Sequence, residues 1–290
     1  MTQFARALSM ACLFAITVSV DAGAQPAQPS ATEAPSTVIE YSTSGPSAWT
    51  DVPSGAYRVP NSSIIVLGHH GASPLGLLFG PAGFAVQGAI NTQISKEAAG
   101  TNEDFLSGDI AQEASDLTRH ILASGGYGQR FALNAEAGAA TASVTPYVVI
   151  TFVSDAAVRP TVILKATLKP AGAGEPPRTT QYLCCVGQPL PLDGDNGLRA
   201  NGGQPLKSVL ANELETAINV MLHDLEGAYT RDKMVTVHGV FPFQTIKLFL
   251  RGYDLAEDEG TLVFSPKGSM LYSSPFVWVM DKSSISYESK

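Results

Sequence analysis

The sequence predicts an α+β fold in which an antiparallel β-meander is covered by one long amphipathic helix, with a second helix and a small β-rich C-terminal tail. Three patterns carry this prediction. The middle of the chain holds three successive runs of β-branched and aromatic residues, the next segment repeats apolar residues at helical spacing, and the C-terminal segment returns to short β-type runs. The open face of a sheet needs a covering layer, which the long helix can supply.

Composition and charge limit the class of protein. Of the 290 residues, 44% are apolar and only 15% are charged, against about 25% charged residues in typical globular domains. The apolar fraction is enough for a packed core and excludes wholesale disorder. The net charge of −8 repels phosphate backbones and anionic lipids, so we expect no nucleic acid partner.

The N-terminus has the pattern of a secretory signal peptide. Arg6 precedes an apolar stretch over residues 7–20, and the A-x-A cleavage site that follows ends at Ala24. The apolar stretch is shorter than the about 20 residues that span a bilayer. We therefore predict cleavage after Ala24 and an exported protein, located in the periplasm or associated with the outer membrane.

The chain divides into regions after the signal peptide, which covers residues 1–24. Residues 25–37 are rich in Pro, Ala and Ser, a composition that predicts a flexible linker. Residues 38–230 form the predicted α+β domain. Residues 231–290 are β-rich and either form a subdomain or extend the central sheet.

Two strands and a helix are predicted before the meander. Residues 38–41 and 64–67 are short apolar runs typical of strands. A helical pattern begins at Phe105 and ends at Gly126. Its apolar face consists of Leu106, Ile110, Ala114, Leu117, Ile121 and Leu122.

The meander and the long helix follow in order. Residues 147–153, 161–168 and 179–186 predict three strands, with a hairpin loop at 154–160. The segment 205–229 predicts the long helix. Its apolar stripe consists of Leu206, Val209, Leu210, Leu214, Ala217, Ile218, Met221, Leu222 and Leu225, and its polar face of Lys207, Asn212, Glu213, Glu215, Asn219 and Glu226.

Cys184 and Cys185 are the two cysteines that remain after export. Adjacent residues of a strand point to opposite faces of the sheet, so these two thiols cannot form a bridge without a strained turn. We expect one buried and one partly exposed free thiol. The alternative is a redox switch or an intermolecular disulfide, which an oxidising compartment permits.

Residues 71–91 form a Gly/Ala-rich apolar segment that is too short to span a membrane, and Pro81 interrupts any helix there. One interpretation is a helical hairpin that packs against the protein's own sheet. The other is a contact surface for an envelope protein or for the membrane. The residues predicted to make that contact are Gly76, Leu77, Leu78, Phe79, Gly80 and Phe84.

The order of these features resembles that of uncharacterised exported proteins of proteobacteria with a Gly/Ala-rich apolar segment. The features that carry the resemblance are the signal peptide, the strand IIVLG at residues 64–68, the run GLLFGPAGFAVQGAINTQ at 76–93 and the polar helix after it. The resemblance implies a location in the cell envelope and no assigned activity.

His69 and His70 are the candidate catalytic residues, because two imidazoles on a loop after a strand can act as acid and base or bind a metal. A metal site needs a third ligand, and His238 or Asp51 would supply it only if the fold brought them close. The competing interpretation is a polar turn beside the glycine-rich segment. We expect neither a metal ion nor a cofactor.

Other polar clusters favour solvated surfaces. His223 and Glu226 have the i, i+3 spacing of carboxylate metal bundles, but the pattern does not recur on another helix. Asp254 and Glu257 belong to an acidic group that we interpret as a solvated hairpin tip between two strands of the tail. The loop that begins at Asp193 lacks the glycine and glutamate that an EF-hand requires, so it predicts a turn.

The sequence as a whole favours a non-catalytic binding or interaction module of the cell envelope, whose contact surface is the segment 71–91. The alternative is a periplasmic hydrolase or metal-dependent enzyme that uses His69 and His70. The sequence leaves the oligomeric state open.

Overall fold

The computed structural model describes part of the unit Ala34–Lys290. Its described residues form a mixed α and β structure that is mostly sheet, which confirms the predicted combination of helices and strands. The predicted signal peptide, His69, His70 and residues 71–90 lie outside the described residues. The described residues are 37–43, 55–68, 91–100, 110–124, 126–127, 130–135, 140–170, 174–243, 247–257, 260–267 and 275–289.

Thirteen strands among the described residues form a single sheet. They are β1 (Thr37–Tyr41), β2 (Tyr57–Arg58), β3 (Ile64–Leu67), β4 (Phe131–Leu133), β5 (Ala140–Ser154), β6 (Ala157–Pro170), β7 (Arg178–Cys185), β8 (Leu190–Pro191), β9 (Met234–Val240), β10 (Lys247–Glu257), β11 (Thr261–Pro266), β12 (Phe276–Asp281) and β13 (Ile285–Ser289). The main path of hydrogen-bonded neighbours is β13-β9-β10-β11-β12-β7-β6-β5-β1-β4.

In the described part of the chain, three helices accompany the sheet. Residues 91–100 are helical and are called α1, α2 spans Ile110–Ser124, and α3 spans Gln204–Leu225. A 3₁₀ turn, Ala200–Gly203, leads into α3, and Pro205 stands in the first turn of that helix, where its missing N–H costs no hydrogen bond.

The strands β5, β6 and β7 pair antiparallel in sequence order. β5 and β6 are joined by a two-residue turn at Asp155 and Ala156, so the loop predicted at 154–160 is mostly strand. The reason is that antiparallel neighbours can be connected by two residues alone. The long β-branched runs on both sides extend the ladder up to that turn.

The antiparallel pairing predicted for the meander is present, but it does not extend to every strand of the sheet. Four of the described strand pairs are parallel, namely β1 with β4, β1 with β5, β3 with β5, and β7 with β12. A parallel pair requires a long crossover connection. Between β7 and β12 that connection contains α3 and the strands β9, β10 and β11.

Pairing of β12 with β7 places the C-terminal strands in the same sheet as the meander. Val277 lies opposite Tyr182, and Val279 lies opposite Cys184. Since β12 also pairs with β11, and β11 with β10, hydrogen bonding continues from the meander into the C-terminal region.

Helix α3 covers one face of the sheet. It packs on β6 and β7, and α2 packs beside it on β5. Leu214 and Met221 are fully buried, as the helical stripe predicts, whereas Asn212 is exposed. Strand residues alternate between two cores: Tyr182 and Cys184 belong to the core under α3, and Leu183 belongs to the core on the opposite face of the sheet.

Candidate functional site

A cleft of about 300 Å³ lies between the C-terminal half of α3 and the strands β10, β11 and β12. The helix contributes side chains spaced three, four and seven residues apart, which places them on one face. The lining residues are Thr216, Asn219, Val220, His223, Tyr229, Ala256, Glu257, Thr261, Val263 and Val279.

The cleft has an apolar floor and a polar rim. Val220, Val263 and Val279 are buried and belong to the core under α3. The polar lining residues are Thr216, Asn219, His223, Tyr229, Glu257 and Thr261. Ligand sites in proteins usually combine an apolar lining with a few placed polar groups, and the cleft has this composition.

The end of α3 determines where Tyr229 lies. The N–H of Gly227 donates to the carbonyl of Asp224, and the N–H of Ala228 donates to the carbonyl of His223. This is a Schellman motif, which requires the left-handed conformation that Gly227 adopts at φ 79°. The chain therefore turns back, and the Tyr229 ring lies 6.0 Å from the His223 ring between centroids.

His223 is held by Tyr127 from the segment after α2. The Tyr127 hydroxyl lies 2.8 Å from Nε2 of His223, and the two rings meet edge to face at 5.6 Å. The sequence predicts a solvated face for His223, and the side chain is half-buried because Tyr127, 96 positions away in the chain, packs against it. Glu226, one turn further along α3, forms an ion pair with Arg130 and does not join His223 in a common site.

Asp224 links the end of α3 to the sheet through a side-chain hydrogen bond. Its Oδ2 accepts a hydrogen bond of 2.8 Å from the Tyr182 hydroxyl, and its Oδ1 pairs with Arg231 at 3.2 Å. Burial, with the Asp224 charge, raises the pKa of Tyr182. Burial also raises the pKa of Tyr229 to about 12, again with a contribution from Asp224, so the Tyr229 hydroxyl keeps its proton at neutral pH.

Among the described residues that line the cleft, Glu257 is the one that is formally acidic. Its Oε2 accepts a hydrogen bond of 2.6 Å from the Tyr287 hydroxyl, and the amines of Lys233 and Lys282 lie 3.8 Å and 4.0 Å from its carboxylate oxygens. The Tyr287 hydrogen bond and the two lysines lower the pKa of Glu257. Its carboxylate is therefore ionised at neutral pH and its charge is compensated.

The predicted acidic hairpin tip needs correction. Asp254 and Glu257 lie within β10, and residues 258–259 lie outside the described residues. Asp254 is buried and pairs with Lys233 at 2.5 Å. The side chain lies opposite Lys233 because β9 and β10 are antiparallel neighbours, and this cross-strand pairing has no signal in the local sequence.

The residues predicted as a site from sequence are not brought into this cleft by any described contact. His69, His70 and the predicted contact residues Gly76, Leu77, Leu78, Phe79, Gly80 and Phe84 lie outside the described residues, as does Asp51. His238 lies on β9, where its ring stacks on Phe249 at 4.0 Å with an angle of 3° between the planes.

Glu213 is a buried carboxyl on α3, although the sequence predicts it on the polar face. It is 1% exposed, its Oε1 accepts a hydrogen bond of 3.1 Å from the N–H of Val186, and its Oε2 has no hydrogen-bond partner in the described part of the chain. Burial raises the pKa of Glu213 well above its usual value. The sequence signal that could have predicted its burial is its position at the edge of the apolar stripe, four residues before Ala217.

Cys184 and Cys185 are free, as the strand geometry predicts. Cys184 is fully buried under α3, and Cys185 is half-buried. Burial, with the nearby Glu213, raises the pKa of both thiols, that of Cys185 to about 12. Since the thiolate is the reactive form, both side chains are weak nucleophiles at neutral pH.

No group of three or more His, Cys, Asp or Glu residues in the described ranges is arranged to hold a metal ion. None of the described helices is both long and apolar enough to cross a lipid bilayer.

In comparisons with known proteins, no protein-family model, no curated protein and no solved structure matches the chain. What the protein does must therefore be inferred from its own residues.

Proposed function

We propose that the protein is an exported component of the cell envelope that acts as a non-catalytic binding module, with a small ligand held in the cleft beside α3. The observation that carries the proposal is the combination of three buried valines on the floor with a polar rim whose side chains are held in place by neighbouring elements. Concave sites of this composition are the usual location of small ligands in proteins.

Two groups of the rim, Glu257 and Tyr229, are suited to hydrogen bonding more than to proton transfer. A general acid or base works best when its pKa lies near the operating pH. Glu257 has a lowered pKa and is paired with Tyr287 and lysines, whereas Tyr229 has a pKa raised to about 12. Neither of these two groups changes its protonation state near neutral pH, so neither is suited to acid–base chemistry there.

Export and envelope location are proposed from the sequence. The pattern that ends at Ala24 supports secretion. The segment 71–91 is proposed as a second contact surface, for an envelope protein or a membrane, because an apolar run must either be buried or become an association surface. Its attraction to lipid would be apolar, since the net charge is −8.

The architecture we propose for this module is the meander β5–β7 with α3 as its covering layer, α2 as the second helix, and the C-terminal strands as an extension of the sheet. The pairing of β12 with β7 and the packing of α3 on β6 and β7 support it. In this arrangement the cleft forms where the helix passes from the meander onto the extension.

The cleft is tested with two tryptophan variants on the same helix. Thr216→Trp places a large side chain in the cleft, whereas Asn212→Trp places the same side chain one turn earlier on the exposed face. Both variants and the mature protein are screened against a library of small molecules by ligand-observed NMR. The proposal predicts molecules that bind the parent and the Asn212 variant but not the Thr216 variant. Binding that is equal in all three proteins, or found in none, would contradict it.

The second contact surface is tested separately. Gly76→Leu and Gly80→Leu add bulk to the segment 71–91, and thermal melting is measured alongside sedimentation with uncharged liposomes. If the segment is a contact surface, the variants stay folded and lose liposome binding or self-association that the parent shows. If the variants unfold and the parent neither binds lipid nor self-associates, the segment is core.

A further inference from the structure

We infer that the ligand of the cleft is a neutral ring compound rich in hydroxyl groups, of the size of a mono- or disaccharide. This inference rests on the proposed binding function and adds the chemical class of the ligand. Size, charge and the placement of hydrogen-bonding groups each contribute to it.

The size of the cleft limits the ligand to one or two rings. Its volume of about 300 Å³ lies at the lower end of the about 300–1,000 Å³ that ligand sites span. A long polymer or a large cofactor would extend beyond the lining residues.

The described lining favours a neutral ligand over a charged one. Among the described lining residues Glu257 is the one formally charged side chain, and the amines of Lys233 and Lys282 lie within 4.0 Å of its carboxylate oxygens. A charged ligand would lose part of its hydration without gaining an uncompensated opposite charge from these residues, which is unfavourable. A neutral ligand loses only hydrogen bonds to water, which the rim can replace.

The hydrogen-bonding groups of the rim suit hydroxyls. Nδ2 of Asn219 donates to the carbonyl of Glu215, which leaves Oδ1 of the amide as an acceptor for a ligand. The Thr216 hydroxyl donates to the carbonyl of Asn212 and keeps lone pairs that accept. Tyr229 keeps its proton and donates. A ligand hydroxyl can both donate and accept, so it can satisfy both kinds of rim group.

The floor of the cleft suits the remaining surface of a sugar ring. Val220, Val263 and Val279 line the cleft with apolar side chains and belong to the core under α3. A pyranose ring carries C–H groups on its faces and hydroxyls around its edge. A ring laid on the valines therefore buries its apolar face and directs its hydroxyls to the rim.

The test uses sugars that share one ring and differ in charge. Binding of glucose, cationic glucosamine and anionic glucuronate is measured by isothermal titration calorimetry and ligand-observed NMR, with galactose, mannose and N-acetylglucosamine as further neutral probes. We expect at least one neutral sugar to bind, with at least a tenfold preference over its charged counterpart. Asn219→Ala should weaken that binding about tenfold, and the matched change Asn212→Ala on the exposed face should leave it unchanged.

A charge variant distinguishes a change in ligand preference from a loss of folding. Asn219→Asp adds a carboxylate to the rim and should shift the preference to glucosamine, which a misfolded variant cannot do. Equal or stronger binding of the charged sugars by the parent, or no binding of any neutral sugar, would overturn the inference. If in that case library molecules bind the parent but not Thr216→Trp, the binding function stands and only the inferred ligand class fails. If library molecules bind the parent and Thr216→Trp equally, or bind neither, the binding function and the ligand class both fail.

Discussion

The Tyr127 hydroxyl lies 2.8 Å from Nε2 of His223, although the two residues are 96 positions apart in the chain. Their contact ties the segment after α2 to the last turn of α3. Through His223 the same contact reaches the cleft, because His223 lines it and Tyr229 packs beside the imidazole. The orientation of one rim group thus depends on a segment that does not itself line the cleft.

Removing the Tyr127 hydroxyl tests this dependence. Tyr127→Phe keeps the ring contact but loses the hydrogen bond, so we expect the free energy of unfolding to fall by about 1 kcal/mol. Urea unfolding of the variant measures the change. Tyr57→Phe is the control, since Tyr57 is half-buried and makes no hydrogen bond from its hydroxyl to a described residue. An equal effect of the two changes would mean that the bond to His223 contributes nothing.

Glu213 makes stability depend on pH. Burial raises its folded-state pKa, whereas the unfolded chain has a Glu pKa of about 4.3. Above that unfolded value the unfolded state loses its proton while the folded state keeps it, so stability falls as pH rises towards the folded-state pKa. Glu213→Gln removes this loss. We therefore expect the variant to gain more than about 1 kcal/mol over the parent at pH 8 and little at pH 4.

The measurement is urea unfolding at both pH values. Glu215→Gln serves as the control, because Glu215 is exposed two residues further along α3. A gain for Glu213→Gln that is the same at pH 4 and pH 8 would show that ionisation of this carboxyl is not the cause.

The buried face of α3 predicts which substitutions unfold the protein. Leu214→Asp or Met221→Asp places an unpaired charge in the core, with an expected cost of about 4 kcal/mol or more. Asn212→Asp, on the exposed face, should change stability by less than about 0.5 kcal/mol. Thermal melting compares the two sets. Similar melting temperatures would mean that the stripe is assigned to the wrong face.

Export predicts the N-terminus of the mature protein. Protein isolated from the envelope fraction should begin at Gln25, because signal peptidase cleaves after the A-x-A site. N-terminal sequencing and intact mass determine this. A retained Met1, or a lipid attached to Cys12, would contradict the prediction.

Local patterns were enough to predict much of the fold. The stripe through Leu214 and Met221 identified α3 and its buried face, and the β-rich run from Met234 to Val240 coincides with β9. These elements follow from periodicity and residue type within one segment. The parallel pairing of β7 with β12 has no such signal, since it depends on how the long crossover packs.

The cleft could not be predicted from local sequence patterns, for the same reason. Its lining comes from α3 and from strands that begin more than twenty residues after that helix ends, so no single segment shows it. His223 was expected in solvent because its own turn of helix is polar, and Tyr127 packs on it from elsewhere in the chain. Glu213 was expected in solvent because charged side chains are rarely buried.

Mapping by NMR is the most direct test of the central claim that the cleft binds a ligand. Backbone amide shifts of the mature protein are recorded with and without the best neutral sugar or library molecule. The account predicts that the largest shift changes fall on 216–223 in α3 and on 256–263 in β10 and β11, and that Thr216→Trp abolishes them. Shift changes that fall elsewhere, or that persist in Thr216→Trp, would contradict it.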